Sequence, residues 1–284
     1  MKMLNWINIT FMAIIFSFTF IVAPLYIYFY KISASIIYLT IALYFLQGFS
    51  MTIGYHRLFS HKAFHAHPLL EFALLFIGAG VFAESALKWA SQHRDHHAFT
   101  DDKDKDPYAI SKGFWYAHIG WLFYKRECQL NNVPDLKQNN RVMRQHNNYL
   151  AWALISGLFI PLFVGYLFGD IIGAFIFAVC VRIFFVQQCM FIVNSVRHKY
   201  GKRNYDKRSS ARDNFFGALL SNGEGYHNYH HRFPTDYRNG VSWYHWDPSK
   251  WVISIFSIFG LTGKLRRASN KNIILAKLET RKNA

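Results

Sequence analysis

Three stretches of this chain run for 20 residues or more without a single charged side chain. Phe11–Tyr30 covers 20 residues, Ile32–Tyr55 covers 24 and Tyr149–Gly169 covers 21. A helix of about 20 residues crosses a hydrocarbon core of about 30 Å, so each stretch predicts a transmembrane helix. A fourth, Ile171–Val196, is interrupted only by Arg182. That cation must face protein, because a charge turned toward lipid is expensive. Composition agrees: 52% of residues are hydrophobic and 19% aromatic, more than a soluble surface accommodates. The first stretch exceeds the apolar length of a secretory leader, and no small-residue cleavage pattern follows it before Lys31. It reads as a span.

The basic residues decide orientation. The formal net charge is +16, which in another context suggests nucleic acid. Here the first two spans are joined essentially by Lys31, and the last two by Phe168, Gly169 and Asp170. Nearly all Lys and Arg lie in 56–148 and 197–284. The positive-inside rule places both segments, and both termini, in the cytoplasm. Their basic surface suits anionic lipid head groups or an anionic substrate, and no nucleic-acid module accompanies it. Phe72–Ala83, flanked by Glu71 and Glu84, is too short to span and predicts an interfacial or re-entrant helix. Phe114–Tyr124 and Trp251–Leu261 are aromatic-rich and predict interfacial segments. The acidic run Asp101–Asp106 lacks the spacing and glycine of a calcium loop and reads as a solvated turn. Cys128, Cys180 and Cys189 form no metal-binding spacing and no disulfide framework.

Nine of the 14 histidines are clustered. His56 and His61 close the second span, and His93, His96 and His97 form an H-x-x-H-H group. Asn194 and His198 end the fourth span, and a second H-x-x-H-H group supplies His227, His230 and His231. All nine fall on the side already assigned to the cytoplasm. Residues three and four apart share a helical face, so each H-x-x-H-H group turns two or three rings toward one point. His56 and His61 lie about 140° apart around an ideal helix and converge only if the helix ends or bends near Leu58. Nine imidazoles exceed the four ligands of a closed zinc site and suit two ions with four or five each. Asn194 is left to hold a water or act as a weak ligand. Imidazole accepts several transition metals. An oxidisable pair beside apolar helices favours iron, for oxidation of lipid chains by oxygen. His65, His67, His118, His146 and His245 lack cluster spacing and read as surface or interfacial residues, with His118 a candidate to support the ligands.

These clusters, with the flanking "GFWYAHIGWLF", "YDKRSSARDN", "GEGYHNYHHRFP" and "DPSKW", resemble the membrane fatty-acid desaturases of the stearoyl-CoA (delta-9) type over about 54–264. The resemblance implies an all-α integral membrane protein in a single domain spanning 1–284. Four transmembrane helices (about 11–30, 32–55, 149–169 and 171–196) would stand below a cytoplasmic helical cap (56–148 and 197–284) that holds a di-metal site. It implies two Fe2+ ions bound by His56, His61, His93, His96, His97, His198, His227, His230 and His231, with Asn194 contributing through water. The implied reaction is O2-dependent insertion of a cis double bond into a saturated acyl chain, acyl-CoA first among carriers, with both oxygen atoms leaving as water. Two electrons come from an external donor, ferredoxin or a cytochrome b5-like protein with its reductase, because the chain carries no haem-binding or nucleotide fingerprint of its own.

Lys125 and Arg126 match the basic positions that meet CoA phosphates in such enzymes. Ser91 stands where the acyl-CoA enzymes carry a basic residue, which leaves acyl carrier protein or intact lipid as alternative carriers. A related membrane di-iron hydroxylase and a histidine-rich metal transporter are the rival classes. The transporter would need ionisable residues at mid-membrane in several spans, and Arg182 is the one found. Chain-length selection is expected along the second span, near Thr40 and Tyr44.

Overall fold

The computed structural model describes residues 3–282. Helix α1 (Trp6–Phe29) and helix α2 (Ala34–Ser60) form a first hairpin. They are followed by α3 (Pro68–Ala79), α4 (Ala86–Ala98), the short α5 (Phe114–His118) and α6 (Asn140–Asn147). A second hairpin, α7 (Tyr149–Leu167) and α8 (Ile171–Lys199), leads to α9 (Phe215–Leu220), α10 (His227–Arg232), α11 (Pro248–Ile258) and α12 (Asn270–Lys282). Among the described residues, the single small sheet pairs β1 (His65–Ala66) antiparallel with β2 (Thr262–Gly263). Among the described residues, α1, α2, α7 and α8 are the helices long and apolar enough to cross a membrane.

The helix starts are written in short polar side chains. Asn5 accepts a hydrogen bond from Asn8 N, Ser33 from Ile36 N, Ser85 from Lys88 N, Asp170 from Gly173 N and Asp247 from Lys250 N. Each satisfies one of the donors that a first helical turn leaves open. The cap at Asn5 starts the first span ahead of the uncharged run. The connection after α5 breaks into one tight turn, Gly120–Phe123, rather than a continuous interfacial helix. It is tied to the start of α1, where Asn5 N donates to Phe123 O and Lys125 N to Met3 O.

All four spans contain a stretch with wide, i→i+5 hydrogen-bonded turns: Phe18–Val22, Ser50–Ser60, Ile155–Phe159 and Ala174–Val181. The one in α2 carries the chemistry. His61 N donates to His56 O at 3.2 Å, and this wider winding returns residues five apart to one face. His56 and His61 therefore converge without the helix ending at Leu58: α2 runs on to Ser60.

Helix α3 packs beside the long helices and the chain turns back through Gly80–Ser85. That turn is backbone without helical partners, and buried protein groups satisfy it. Arg182, 1% exposed, is the principal one. Its Nε donates to Ala178 O (2.6 Å), Nη1 to Gly80 O (2.9 Å) and to Gln47 Oε1, and Nη2 to Gly157 O (2.6 Å). Gln187 Nε2 adds a bond to Val81 O at 2.9 Å. The cation thus faces four neutral oxygens from α2, the turn, α7 and its own helix. The turn crosses α7 so closely that a Cβ on Gly157 would stand 2.6 Å from Gly80 O, so glycine is required there.

The main core packs the lower half of α2 against α3, α4 and α11, with Tyr55, Phe64, Leu75, Leu87 and Ile253 all at or near zero exposure. Arg94 locks α4 to the end of α2. It donates to Phe59 O and Ser60 O (2.8 and 2.9 Å) and makes a bidentate pair with Asp135 at 2.7 and 2.9 Å. This clamp fixes His93, its neighbour, against His61.

Candidate metal centre

Nine imidazoles from four places in the sequence meet at the end of the helical bundle. They divide into two groups whose ring nitrogens lie within 4.8 Å of one another: His56, His61, His93, His97 and His230, and His96, His198, His227 and His231. Each H-x-x-H-H segment contributes to both. In α4, His93 and His97 turn one way and His96 the other; in α10, His230 joins the first group while His227 and His231 join the second. Two helices with the same spacing thereby form the walls of both groups.

The Nε2 atoms face inward. His56 to His230 and His61 to His93 are 2.9 Å, His97 to His230 is 3.1 Å, and His227 stands 3.0 Å from both His198 and His231. Hydrogen bonds alone do not account for this pattern, because His230 Nε2 and His227 Nε2 each face two other Nε2 atoms and hold at most one proton. His96 Nε2 is buried with no hydrogen-bond partner, although its Nδ1 is 3.0 Å from Asp106 Oδ1. A converging set of lone pairs with one left unpartnered is what a cation site requires, and the residues present fit a metal pair. Burial, reinforced by neighbouring rings, pushes the pKa of His61, His93, His97, His227, His230 and His231 well below the ordinary histidine value. The rings are neutral near pH 7, the form in which imidazole binds metal.

Several residues around the rings escaped sequence reasoning. Glu224 Oε2 is 2.9 Å from His56 Nδ1. Burial alone would raise its carboxyl pKa; His56 and Arg57 outweigh that and hold it down at about 2. Tyr108 Oη is 3.1 Å from His93 Nδ1, and Ser210 Oγ is 2.7 Å from His198 Nδ1. Asp213 Oδ1 accepts from Asn228 N and Tyr229 N (2.8 and 3.1 Å) and so caps α10. The run Asp101–Asp106 is a turn, as expected, but not a solvated one at its end: Asp106 is fully buried on His96, and Asp101 Oδ2 accepts from Ser210 N at 2.8 Å. For Glu224 and Asp106 the available signal was a carboxylate within ten positions of each H-x-x-H-H group, in a chain with only 16 acidic residues.

The five other histidines stay outside both groups. His67 caps α3, His146 Nδ1 meets Ser85 Oγ at 2.7 Å, and His245 stacks on Tyr226. His65 lies in β1. His118 bridges Ser195 Oγ (2.9 Å) and Gln188 Oε1 (3.0 Å), fixing α5 on the helix that carries Asn194 and His198.

Two cavities share a wall beside the five-histidine group, and one of them is lined by its rings. One, of about 590 Å³ including its open mouth, passes His56, His93 and Glu224 and is lined by Met51, Val186, Cys189 and Val193, with Tyr44 and Gly48 of α2 also in its wall. The other, of about 1010 Å³ including its open mouth, is lined by Phe11, Phe82, Trp121 and Phe191, with Asn5, Asn8 and Arg126 among its polar residues. They share Trp89, Met190 and Asn194. Asn194 therefore stands where the two meet. Lys125 is exposed and outside both linings, and Thr40 is turned to Ile36 O (2.7 Å) rather than into the cavity.

The profile of the family described as fatty acid desaturase matches residues 34–253. The chain belongs to the fatty acid desaturase family. Among its relatives, a "Probable acyl-CoA desaturase" of Schizosaccharomyces pombe is 44% identical over 234 residues, 81% of this chain and 49% of the relative. An "sn-2 palmitoyl-lipid 9-desaturase" of Nostoc sp. (strain 36) is 32% identical over 92% of this chain and 90% of its own length. A "Stearoyl-CoA desaturase" of Sus scrofa is 34% identical over 84% and 68%. The chain spans about half the length of the yeast relative. In this desaturase-family chain the matched region contains all nine grouped histidines.

Proposed function

We propose that this chain is an O2-dependent acyl desaturase that places a cis double bond, at the delta-9 position, in a saturated chain carried by CoA. The observation that carries the reading is a mainly apolar cavity between α2 and α8 that ends on His56 and His93, within a set of nine histidines in two converging groups. His56, His61, His93, His97 and His230 would hold one ion. His96, His198, His227 and His231 would hold the other, with Asn194 completing it through a water. Five converging imidazoles exceed the four ligands of a closed zinc site, which favours iron.

Bound there, a pair of iron ions supplies the oxygen-activating, hydrogen-abstracting chemistry that an unactivated methylene demands. The chain's own residues do the rest. Trp89, Met190 and Val186 exclude water and hold the acyl chain against His56 and His93, so that position along the chain selects the carbon attacked. Arg126 at the mouth pairs with the carrier's phosphates, and Lys125 lies beside it on the surface. Substrate and an external one-electron donor, a ferredoxin or cytochrome b5-like protein, each supply two electrons, and O2 leaves as two waters. The cap and both termini face the cytoplasm. A second carrier has support: position 91, occupied by Ser91, is buried on Asn132 (2.6 Å) and offers no charge at the mouth, and the Nostoc relative is named for a lipid substrate.

Expression in a host lacking unsaturated fatty acids, with lipids analysed by gas chromatography, tests the reading. A new monoene is expected, and its loss on His230→Ala. A hydroxylated product instead would assign the chain to the related hydroxylases, and no product beside an active control desaturase would refute the activity. Membranes given labelled acyl-CoA or labelled phospholipid separate the carriers.

A further inference from the structure

We infer that each imidazole group has its own carboxylate, Glu224 for the five-histidine group and Asp106 for the four-histidine group, and that these two positioning residues set the occupancy of the two ions independently. The inference rests on the ligand assignment proposed above. Among the described residues, two ring nitrogens pair with a carboxylate, one in each group: His56 Nδ1 with Glu224 Oε2 at 2.9 Å, and His96 Nδ1 with Asp106 Oδ1 at 3.0 Å. The other partners of Nδ1 atoms are neutral: Tyr108 on His93, Ser210 on His198 and, at 3.4 Å, Thr100 on His231. The Nδ1 atoms of His227 and His230 are buried without a partner.

An Nδ1–H donated to a carboxylate fixes the tautomer that leaves the Nε2 lone pair pointing inward, and strengthens that lone pair as a donor. A hydroxyl does this more weakly, because a hydrogen bond to an ionised acceptor is roughly twice as strong as a neutral one. Each group therefore has one strong, oriented donor around which the other rings assemble.

The two clamps are built from separate parts. Glu224, 4% exposed, also accepts from Arg57 Nη2 (3.1 Å) and Asn239 Nδ2 (2.6 Å), and Arg57 is anchored on Asp247 Oδ1 at 2.9 Å. Asp106, 0% exposed, is wrapped by its own loop: Oδ2 accepts from Asp101 N (3.0 Å) and Oδ1 from Tyr108 N (3.1 Å). The clamps share no residue, so loss of one leaves the other intact.

The test uses the purified full chain in detergent, loaded with two equivalents of 57Fe(II) per chain, comparing wild type with Glu224→Gln, Asp106→Asn and Glu71→Gln. Iron per chain is read by plasma mass spectrometry and the two sites by Mössbauer spectroscopy; circular dichroism reports the fold. Wild type should hold about two ions in two distinct doublets. Each of the first two variants should bind one ion about 10–100-fold more weakly, lose one doublet, and lose a different one from the other variant. Glu71→Gln removes a carboxylate that holds Arg141 and Asn139 but touches no ring, and should keep both doublets. Retention of both doublets in Glu224→Gln and Asp106→Asn, or loss of both in either with helicity intact, overturns the inference. If a neutral variant misfolds, Glu224→Asp and Asp106→Glu keep the charge and should shift only their own doublet; a shift in the other doublet overturns it equally. A wild-type chain that binds no iron removes the ligand assignment itself, and the inference with it.

Discussion

The buried imidazoles make stability depend on pH in a way that can be signed residue by residue. His61, His93, His97, His227, His230 and His231 have folded pKa values well below the ordinary one. The unfolded chain takes up protons below about pH 6.5 where the folded chain does not, so stability falls as pH drops through that value. Glu224 acts lower: its folded pKa of about 2 gives stability present above the ordinary carboxyl value of about 4.3 and lost as pH falls toward 2. Thermal unfolding of the metal-free protein in detergent should therefore be flat above about pH 7 and decline steadily from about 6.5 to 5. Ferrous iron should move that decline to lower pH, because bound metal competes with protons for the same lone pairs. A metal-free profile that is level down to pH 5 would contradict the neutral-ring description.

At the scale of elements, the wide turns and Arg182 work together. Wide turns let rings five residues apart converge in α2, and the turn between α3 and α4 is held where Arg182 can reach Gly80, Gly157 and Ala178. Replacing Arg182 by Met removes the donor to three buried carbonyls, and each buried group left without a partner costs about 1–3 kcal/mol. A large drop in detergent melting temperature is expected; an unchanged midpoint would show that water or lipid replaces the guanidinium. The cavity walls make a second element-scale prediction. Tyr44 stands in the wall of the cavity and is 3.2 Å from Cys189 Sγ of α8, while Thr40, one turn earlier, faces its own helix. Tyr44→Ala should shift the products toward longer chains, and Thr40→Ala should not, as read by gas chromatography of the monoene fraction. Equal product profiles for wild type and Tyr44→Ala would move chain-length selection elsewhere.

For the whole molecule, two hairpins of spans carry a cap whose parts come from either side of the second hairpin. Its exposed apolar residues continue beyond the spans, with Phe216 on α9, Trp243 and Tyr244 in the loop after α10, and Ile258 on α11 all well exposed. They suit the interfacial zone of a bilayer, where aromatic side chains concentrate. The positive-inside distribution predicts a cytoplasmic cap, and cysteine labelling of intact cells tests that orientation. With Cys128, Cys180 and Cys189 replaced, a cysteine at Gly169, in the turn between α7 and α8, should react with an impermeant reagent from outside. One at Lys125 should react only after the membrane is opened. The reverse pattern would invert the cap.

The sequence alone was enough for the four long apolar helices, the shorter apolar helix α3 and the nine clustered histidines. Those are decided by hydrophobic length and by local spacing, which any window of the chain displays. The division of the rings into five and four was decided only by tertiary structure, since α4 and α10 each turn rings to both groups and their relative rotation depends on long-range packing. The same holds for the wide turns of α2, because i→i+5 bonding leaves no hydrophobic signature distinct from an ordinary helix. Glu224, Asp106, Tyr108 and Ser210 acquire their partners across 168, 10, 15 and 12 positions respectively. Asp101–Asp106 shows the difference most directly: its composition is that of a solvated turn, and the fold buries its last carboxylate against a ring.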